Sequence, residues 1–168
     1  MTQRPVVLQV TTASSEQTVR YGELIGAWLQ PGDVVLLHGD LGAGKTTLTK
    51  GIARTLGVPD TVASPSFALV NEYALPALRL FHLDLYRLDD LADLESIGFS
   101  ELTSAADAVA IVEWPERARA LLPDHYLLVE IENAAEGSRS LRISGEPAAR
   151  WHDRLPTLEQ ALTSPLPA

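Results

Sequence analysis

Residues 34–57 carry the feature that most restricts the fold. Four consecutive apolar residues, Val34-Val35-Leu36-Leu37, lead through Gly39-Asp40-Leu41-Gly42-Ala43-Gly44-Lys45-Thr46-Thr47 into a helical repeat at Leu48, Ile52 and Leu56, and Gly57 then stops it. A short unbroken apolar run suits a parallel strand covered on both faces. A strand, a glycine-rich turn and a helix in this order predict an α/β layer structure, and with the antiparallel hairpin read below the expected sheet is mixed, mostly parallel and flanked by helices. The turn matches G-x-x-x-x-G-K-[ST], in which successive backbone N–H groups cradle a polyphosphate. Glycine at 42 and 44 keeps Cβ atoms out of that approach. Lys45 supplies charge for the outer phosphates, Thr46 a hydroxyl for Mg²⁺, and Thr47 stands next in line for the α-phosphate. The expected ligand is therefore a nucleoside triphosphate with Mg²⁺, and the expected architecture a P-loop NTPase domain.

The 168 residues fit one domain, taken as 1–162 with a frayed tail over 163–168. The N-terminus has no signal-peptide core and no apolar run is long enough to span a bilayer, so a cytoplasmic protein with no membrane partner is expected. Thirteen basic against twenty-two acidic residues give a net charge of −9, which argues against a broad grip on nucleic acid by this chain alone. A role in RNA metabolism would pass through a protein partner. Lys45 and Lys50 are the only lysines, so the N-K-x-D guanine signature is absent.

Around this unit the pattern predicts a strand over 6–10, then a helix capped by Ser14 and Gln17 with an apolar stripe at Tyr21, Leu24, Ile25, Trp28 and Leu29. Stretches 67–74 and 78–86 read as an antiparallel hairpin, and 91–102 as a helical segment broken near Gly98. Residues 108–112 form a second buried strand, and Pro115 opens a short helix. Two strands follow at 126–131 and 140–143, and a last helix over 147–162 must kink or divide at Pro156.

A triphosphate site needs an acid at a strand end. Glu113 closes Ala-Val-Ala-Ile-Val and is the candidate for Mg²⁺; its alternative is capping the helix at Pro115. Asp84 lies in His82-Leu83-Asp84-Leu85-Tyr86-Arg87, where alternation puts His82, Asp84 and Tyr86 on one face. It is a candidate for catalysis or for positioning water, the alternative being an ion pair with Arg79 or Arg87. Ser64-Pro65-Ser66 reads either as a γ-phosphate sensor or as a plain turn. Trp114 suits either the core or a partner contact.

Four motifs in order, G-D-L-G-A-G-K-T-T, S-P-S-F-A-L-V-N-E-Y, H-L-D-L-Y-R-L and V-E-W-P-E, closely resemble the TsaE family, the ATPase of bacterial tRNA threonylcarbamoyladenosine biosynthesis. The likeness runs from about residue 14 to 145. It implies Mg²⁺-dependent ATP hydrolysis in support of the TsaB–TsaD pair, which modifies adenosine 37 of tRNA, so that tRNA is met only indirectly. Carried over by position, Lys45 and Thr46 match the phosphate and magnesium residues, Glu113 the magnesium-associated acid, Asp84 the acid needed for activity, and Trp114 the neighbouring aromatic. Thr18 aligns with a helix start near the nucleotide. The switch segment departs from the common S-P-T-F, since Ser66 keeps the hydroxyl and drops the methyl that would stiffen it. Two other readings are a small-molecule kinase and a non-hydrolysing nucleotide sensor. The scattered arginines offer no closing lid for the first, and two well-placed acids speak against the second.

Overall fold

A computed structural model describes residues 6–59, 62–65 and 67–165. Seven strands, β1 (Val7–Thr12), β2 (Val34–His38), β3 (Val70–Ala74), β4 (Arg79–Asp84), β5 (Ala108–Glu113), β6 (Tyr126–Asn133) and β7 (Arg139–Glu146), form one sheet in the order β1-β7-β6-β2-β5-β4-β3. The central four, β6, β2, β5 and β4, are parallel. β3 and β7 pair antiparallel at the margins, and β1 pairs antiparallel with β7, so only β3 and β7 run against the rest. The mixed, mostly parallel sheet read from sequence is thus present.

β2 shows why its run has no polar alternation. Val35 and Leu37 enter a core shared with α1 (Ser15–Trp28), α2 (Lys45–Leu56), α5 (Ala148–Trp151) and α6 (Leu155–Thr163). Val34 and Leu36 enter a second core on the opposite face, with Leu94 of α3 (Leu91–Ser96), Phe99 of α4 (Phe99–Ser104) and Ala118 of the 3-10 turn Pro115–Leu121. Both faces are covered, as parallel strands require. His82 neighbours Leu80 across the pleat from Phe81 and Leu83, which places it on the α2 side.

Local chemistry sets the element ends. The Ser14 hydroxyl accepts from Gln17 N at 3.1 Å. Gln17 reaches back one residue further than a capping box does, its side-chain oxygen accepting from Ala13 N at 2.5 Å. Gly57 closes α2 at φ +103°, and Gly98, at φ +71°, separates α3 from α4 as the sequence suggested. The hairpin strands are shorter than expected. β3 starts only at Val70, after Leu69 at φ +66°, and β4 ends at Asp84. The final helix divides before Pro156 rather than at it, because residues 152–154 turn first and the proline falls in the opening turn of α6, where its missing N–H costs nothing. Thr163 still belongs to α6, and the tail from 166 onward lies outside the described residues.

The C-terminal helices are integral to the core. Trp151, Leu155, Leu158 and Leu162 are buried beside Ile25 and Leu29, and Trp28 is half-buried, stacked on Trp151 at 5.8 Å between centroids. Arg154 grips the buried Asp33 through two hydrogen bonds of 2.9 and 2.8 Å and lies 4.4 Å from the Trp28 ring centre. Breaking such a pair leaves an uncompensated buried carboxylate. Arg154→Ala is expected to lower unfolding free energy by about 3 kcal/mol, measured by urea denaturation. A change below roughly 0.5 kcal/mol, the scale of ordinary surface substitutions, would refute this.

Candidate active site

The phosphate loop occupies residues 39–44, between β2 and α2, at the carboxyl end of the parallel strands. Ligands of open α/β sheets bind at that edge. Its three glycines act differently. A Cβ at Gly39 would lie 2.5 Å from the Ile131 carbonyl oxygen, so close packing against β6 requires glycine there. Gly42 and Gly44 sit at φ +76° and +111°, which a side chain resists. A Cβ on Gly42 would meet no protein atom within 4 Å, and one on Gly44 only the fringes of Arg139 and Thr18. The obstruction anticipated at these two positions is therefore conformational as far as the protein itself is concerned; the loop's concave side is open.

One cleft of about 280 Å³ is lined by Leu41, Gly42, Gly44, Lys45, Thr46 and Thr47 together with Ser64, Asp84, Tyr86, Glu113 and Trp114. Four separate stretches of the chain thus contribute to one space. The parallel register of β4 and β5 sets Asp84 beside Glu113, both at strand ends. Glu113 is 2% exposed and accepts from the Thr46 hydroxyl at 3.2 and 3.3 Å, from the Thr49 hydroxyl at 3.4 Å, and from His82 Nε2 at 2.9 Å. Asp84 is 4% exposed; one oxygen accepts from Tyr86 N at 3.0 Å and the other from the Ser64 hydroxyl. These hydrogen bonds offset the burial of both carboxylates. The ion pairs considered for Asp84 do not form with Arg79, which binds Asp107 and Glu72 instead. Arg87 lies over the Phe67 ring, 4.4 Å from its centre.

Lys45 is also buried. Its ammonium donates to the Gly39 and Asp40 carbonyls at 2.5 and 2.8 Å and lies 4.1 Å from the centre of the Trp114 ring. Burial pushes its pKa below the ordinary lysine value, opposed by the nearby charges of Glu113, Glu116, Asp84 and Asp40. Trp114 has left-handed backbone angles, φ +60° and ψ +50°, which for a non-glycine residue cost roughly 1 kcal/mol. Its ring meets Tyr86 at 4.8 Å and borders the cleft, so it serves neither as a plain core residue nor as a fully exposed one.

The remaining expected residues sit around this cleft. Gly39, Asp40 and Ala43 line a hollow on the other side of the loop, facing β6. Thr18 borders a smaller polar cleft of about 150 Å³ that continues past Gly42, Gly44 and Thr47 to Ser14, Gly137 and Arg139. Ser66 lies outside the described residues. Two residues, Thr49 and Arg139, escaped the sequence reading, and so did one contact of His82, which that reading had placed on the face of Asp84. Thr49 follows Thr46 by one turn and therefore shares its face, a signal that was available. The His82 contact with Glu113 and the Arg139 side chain, which donates to the Ala43 carbonyl at 2.9 Å, depend on strand order and had no local signal.

Thr46 and Glu113 fit a magnesium ion chemically. A hydroxyl and a carboxylate converge at the mouth of a phosphate loop, and Mg²⁺ in such sites takes one or two protein oxygens, with phosphate and water completing the shell. Among the described residues no group of three or more histidine, cysteine or acidic side chains could hold a metal by itself. No described helix is long and apolar enough to cross a membrane.

The family model described as threonylcarbamoyl adenosine biosynthesis protein TsaE matches residues 12–141. The tRNA threonylcarbamoyladenosine biosynthesis protein TsaE of Bacillus subtilis is 39% identical over 134 residues, covering 80% of this chain and 83% of that protein. Its counterpart in Treponema pallidum is 35% identical over 137 residues, covering 82% of this chain and all of that protein. The crystal structure of Bacillus subtilis YdiB superposes with a TM-score of 0.80 at 32% identity, over 94% of this chain and 97% of that one. With its motifs, fold and loop geometry all in agreement, the chain belongs to the TsaE family of tRNA threonylcarbamoyladenosine biosynthesis proteins.

Proposed function

We propose that this protein is a Mg²⁺-dependent ATPase that supports modification of tRNA adenosine 37 by cycling a TsaB–TsaD complex through ATP binding and hydrolysis. The observation that carries the reading is the meeting of Lys45, Thr46, Asp84 and Glu113 in one cleft over the phosphate loop. Thr46 and Glu113 would hold the ion, which when bound screens the β- and γ-phosphate charge. Loop N–H groups and Lys45 would bind the phosphate oxygens, the ammonium exchanging the Gly39 and Asp40 carbonyls for them. Asp84 would orient a water toward the γ-phosphorus; the water oxygen forms the new P–O bond as the bond to the β–γ bridging oxygen breaks, its proton passes to phosphate or solvent, and ADP and phosphate leave. The smaller cleft beside Thr47, with Thr18 and Arg139 at its rim, would take the nucleoside end.

Two exposed apolar side chains on the outer wall support the partner-dependent reading. Leu41 is 72% exposed and Phe67 88% exposed, so large apolar side chains beside the loop and on the segment leading to β3 remain for another protein to cover. The net charge of −9 disfavours direct tRNA binding, and docking through a protein agrees with it. Slow turnover by the isolated chain and a cytoplasmic location belong to the same reading.

Reconstitution tests it. With tRNA, threonine, bicarbonate, ATP and the other biosynthetic proteins, including TsaB and TsaD, adding this chain is expected to convert a single round of modification into repeated rounds. ATP hydrolysis should rise when TsaB and TsaD are present. Equal modification with and without the chain would reject the assignment, and radiolabelled γ-phosphate appearing on a metabolite would favour a kinase instead.

A further inference from the structure

We propose that His82 is a positioning residue for the magnesium site, donating from Nε2 to hold the Glu113 carboxylate in place. The proposal rests on the Mg²⁺ role of Thr46 and Glu113 given above. His82 is fully buried, and its Nε2 lies 2.9 Å from Glu113 Oε1. An ionised carboxylate only accepts, so the ring nitrogen facing it carries the proton. The other nitrogen, Nδ1, is buried and has no hydrogen-bond partner among the described residues.

That orphan separates a positioning role from a packing role. Burying an unpaired polar atom is unfavourable, and an apolar side chain would fill the same space between β4 and α2 without it. What an apolar side chain lacks is the donor. The other donors to Glu113 come from α2: Thr46 at 3.2 Å, whose hydroxyl is itself assigned to the ion, and Thr49 at 3.4 Å, whose hydroxyl also serves the Lys45 carbonyl at 3.0 Å. When Thr46 turns to a cation, His82 is the short, undivided hydrogen bond left to fix the carboxylate. It comes from the neighbouring strand, so Glu113 is held across the β4–β5 pair rather than by the helix alone. Partners of this kind behind a ligating group govern metal affinity, typically by 10- to 100-fold.

The test is the free Mg²⁺ concentration that gives half of the Mg²⁺-dependent gain in affinity for a non-hydrolysable ATP analogue, read by calorimetry on the full chain. Thermal melts accompany each variant. His82→Gln places an amide donor near the Nε2 position; His82→Asn is polar but one methylene too short, and His82→Leu has no donor. His82→Asn and His82→Leu are expected to raise the half-effect concentration at least about tenfold, while His82→Gln stays within roughly threefold of the natural protein. A purely structural histidine would instead shift the melting temperature and leave the Mg²⁺ requirement alone, and that result overturns the proposal. It is also overturned if His82→Gln fails as badly as His82→Asn. If the natural protein gains no affinity from Mg²⁺, the magnesium assignment itself falls. A natural protein that responds to Mg²⁺, together with a His82→Leu variant that responds identically, removes the positioning role alone.

Discussion

Asp84→Asn is expected to cut ATP turnover by a factor on the order of 10²–10³ while changing nucleotide affinity by less than about threefold, because in the proposed reaction the charge acts on the attacking water rather than on the bound phosphates. The substitution is nearly isosteric. An asparagine oxygen still accepts from Tyr86 N, and Ser64 still has a polar partner, so the local frame survives. What disappears is the negative charge at a site that is 4% exposed and beside a second acid. Lys45→Ala makes the contrast. Removing the buried ammonium from the proposed phosphate site is expected to cost about 3 kcal/mol of binding, roughly a hundredfold in affinity, in addition to a loss of rate. Single-turnover hydrolysis and equilibrium titration, performed in the presence of TsaB and TsaD, separate the two behaviours. Should Asp84→Asn hydrolyse ATP at the natural rate, the role of that carboxylate in the reaction is gone.

Gly51→Val is expected to have the largest effect on stability, at about 3 kcal/mol or more. α1 and α2 approach so closely that a Cβ at Gly51 would overlap the Val19 carbonyl oxygen and lie 2.9 Å from both Glu23 N and Gly22 Cα. The same crossing would place a Cβ on Gly26 2.8 Å from the Ile52 carbonyl oxygen. These neighbours are backbone atoms, which cannot rotate away, so the helices must separate. Separation would open the core at Ile25, Leu48 and Ile52, all fully buried. It would also shift Lys45 and Thr46, the first residues of α2, away from Glu113. A stepwise loss of urea midpoint from glycine to alanine to valine is the expected series. An unchanged midpoint for the valine variant would show that the helices yield cheaply.

Much of the site was legible because its chemistry is written in contiguous residues. The phosphate loop, its preceding strand and its helix lie within 34–57, and their spacing alone predicts the curl and the charges around it. Glu113 was also readable, as a lone acid at the end of an apolar run. The antiparallel hairpin followed from a short connection, and the break at Gly98 from a residue that tolerates positive φ. The glycine contact between α1 and α2 was not readable in the same way. Gly22, Gly26 and Gly51 weaken helix propensity in isolation, and only the crossing of the two helices explains their presence.

By itself, then, the sequence determined the layered class, the kind of most elements, and the residues proposed here to bind phosphate and magnesium. These depend on period, local steric preference and side-chain chemistry, which act over a few residues. Tertiary structure decided the order β1-β7-β6-β2-β5-β4-β3, and with it which acids share a cleft. Asp84 and Glu113 are twenty-nine positions apart, and they become neighbours because β4 pairs in parallel with β5. The pairing of His82 with Glu113 and the placement of Arg139 against the loop arise the same way. The physical reason is that strand order is selected by burying both faces of the central strands at once, a collective energy that no local pattern encodes.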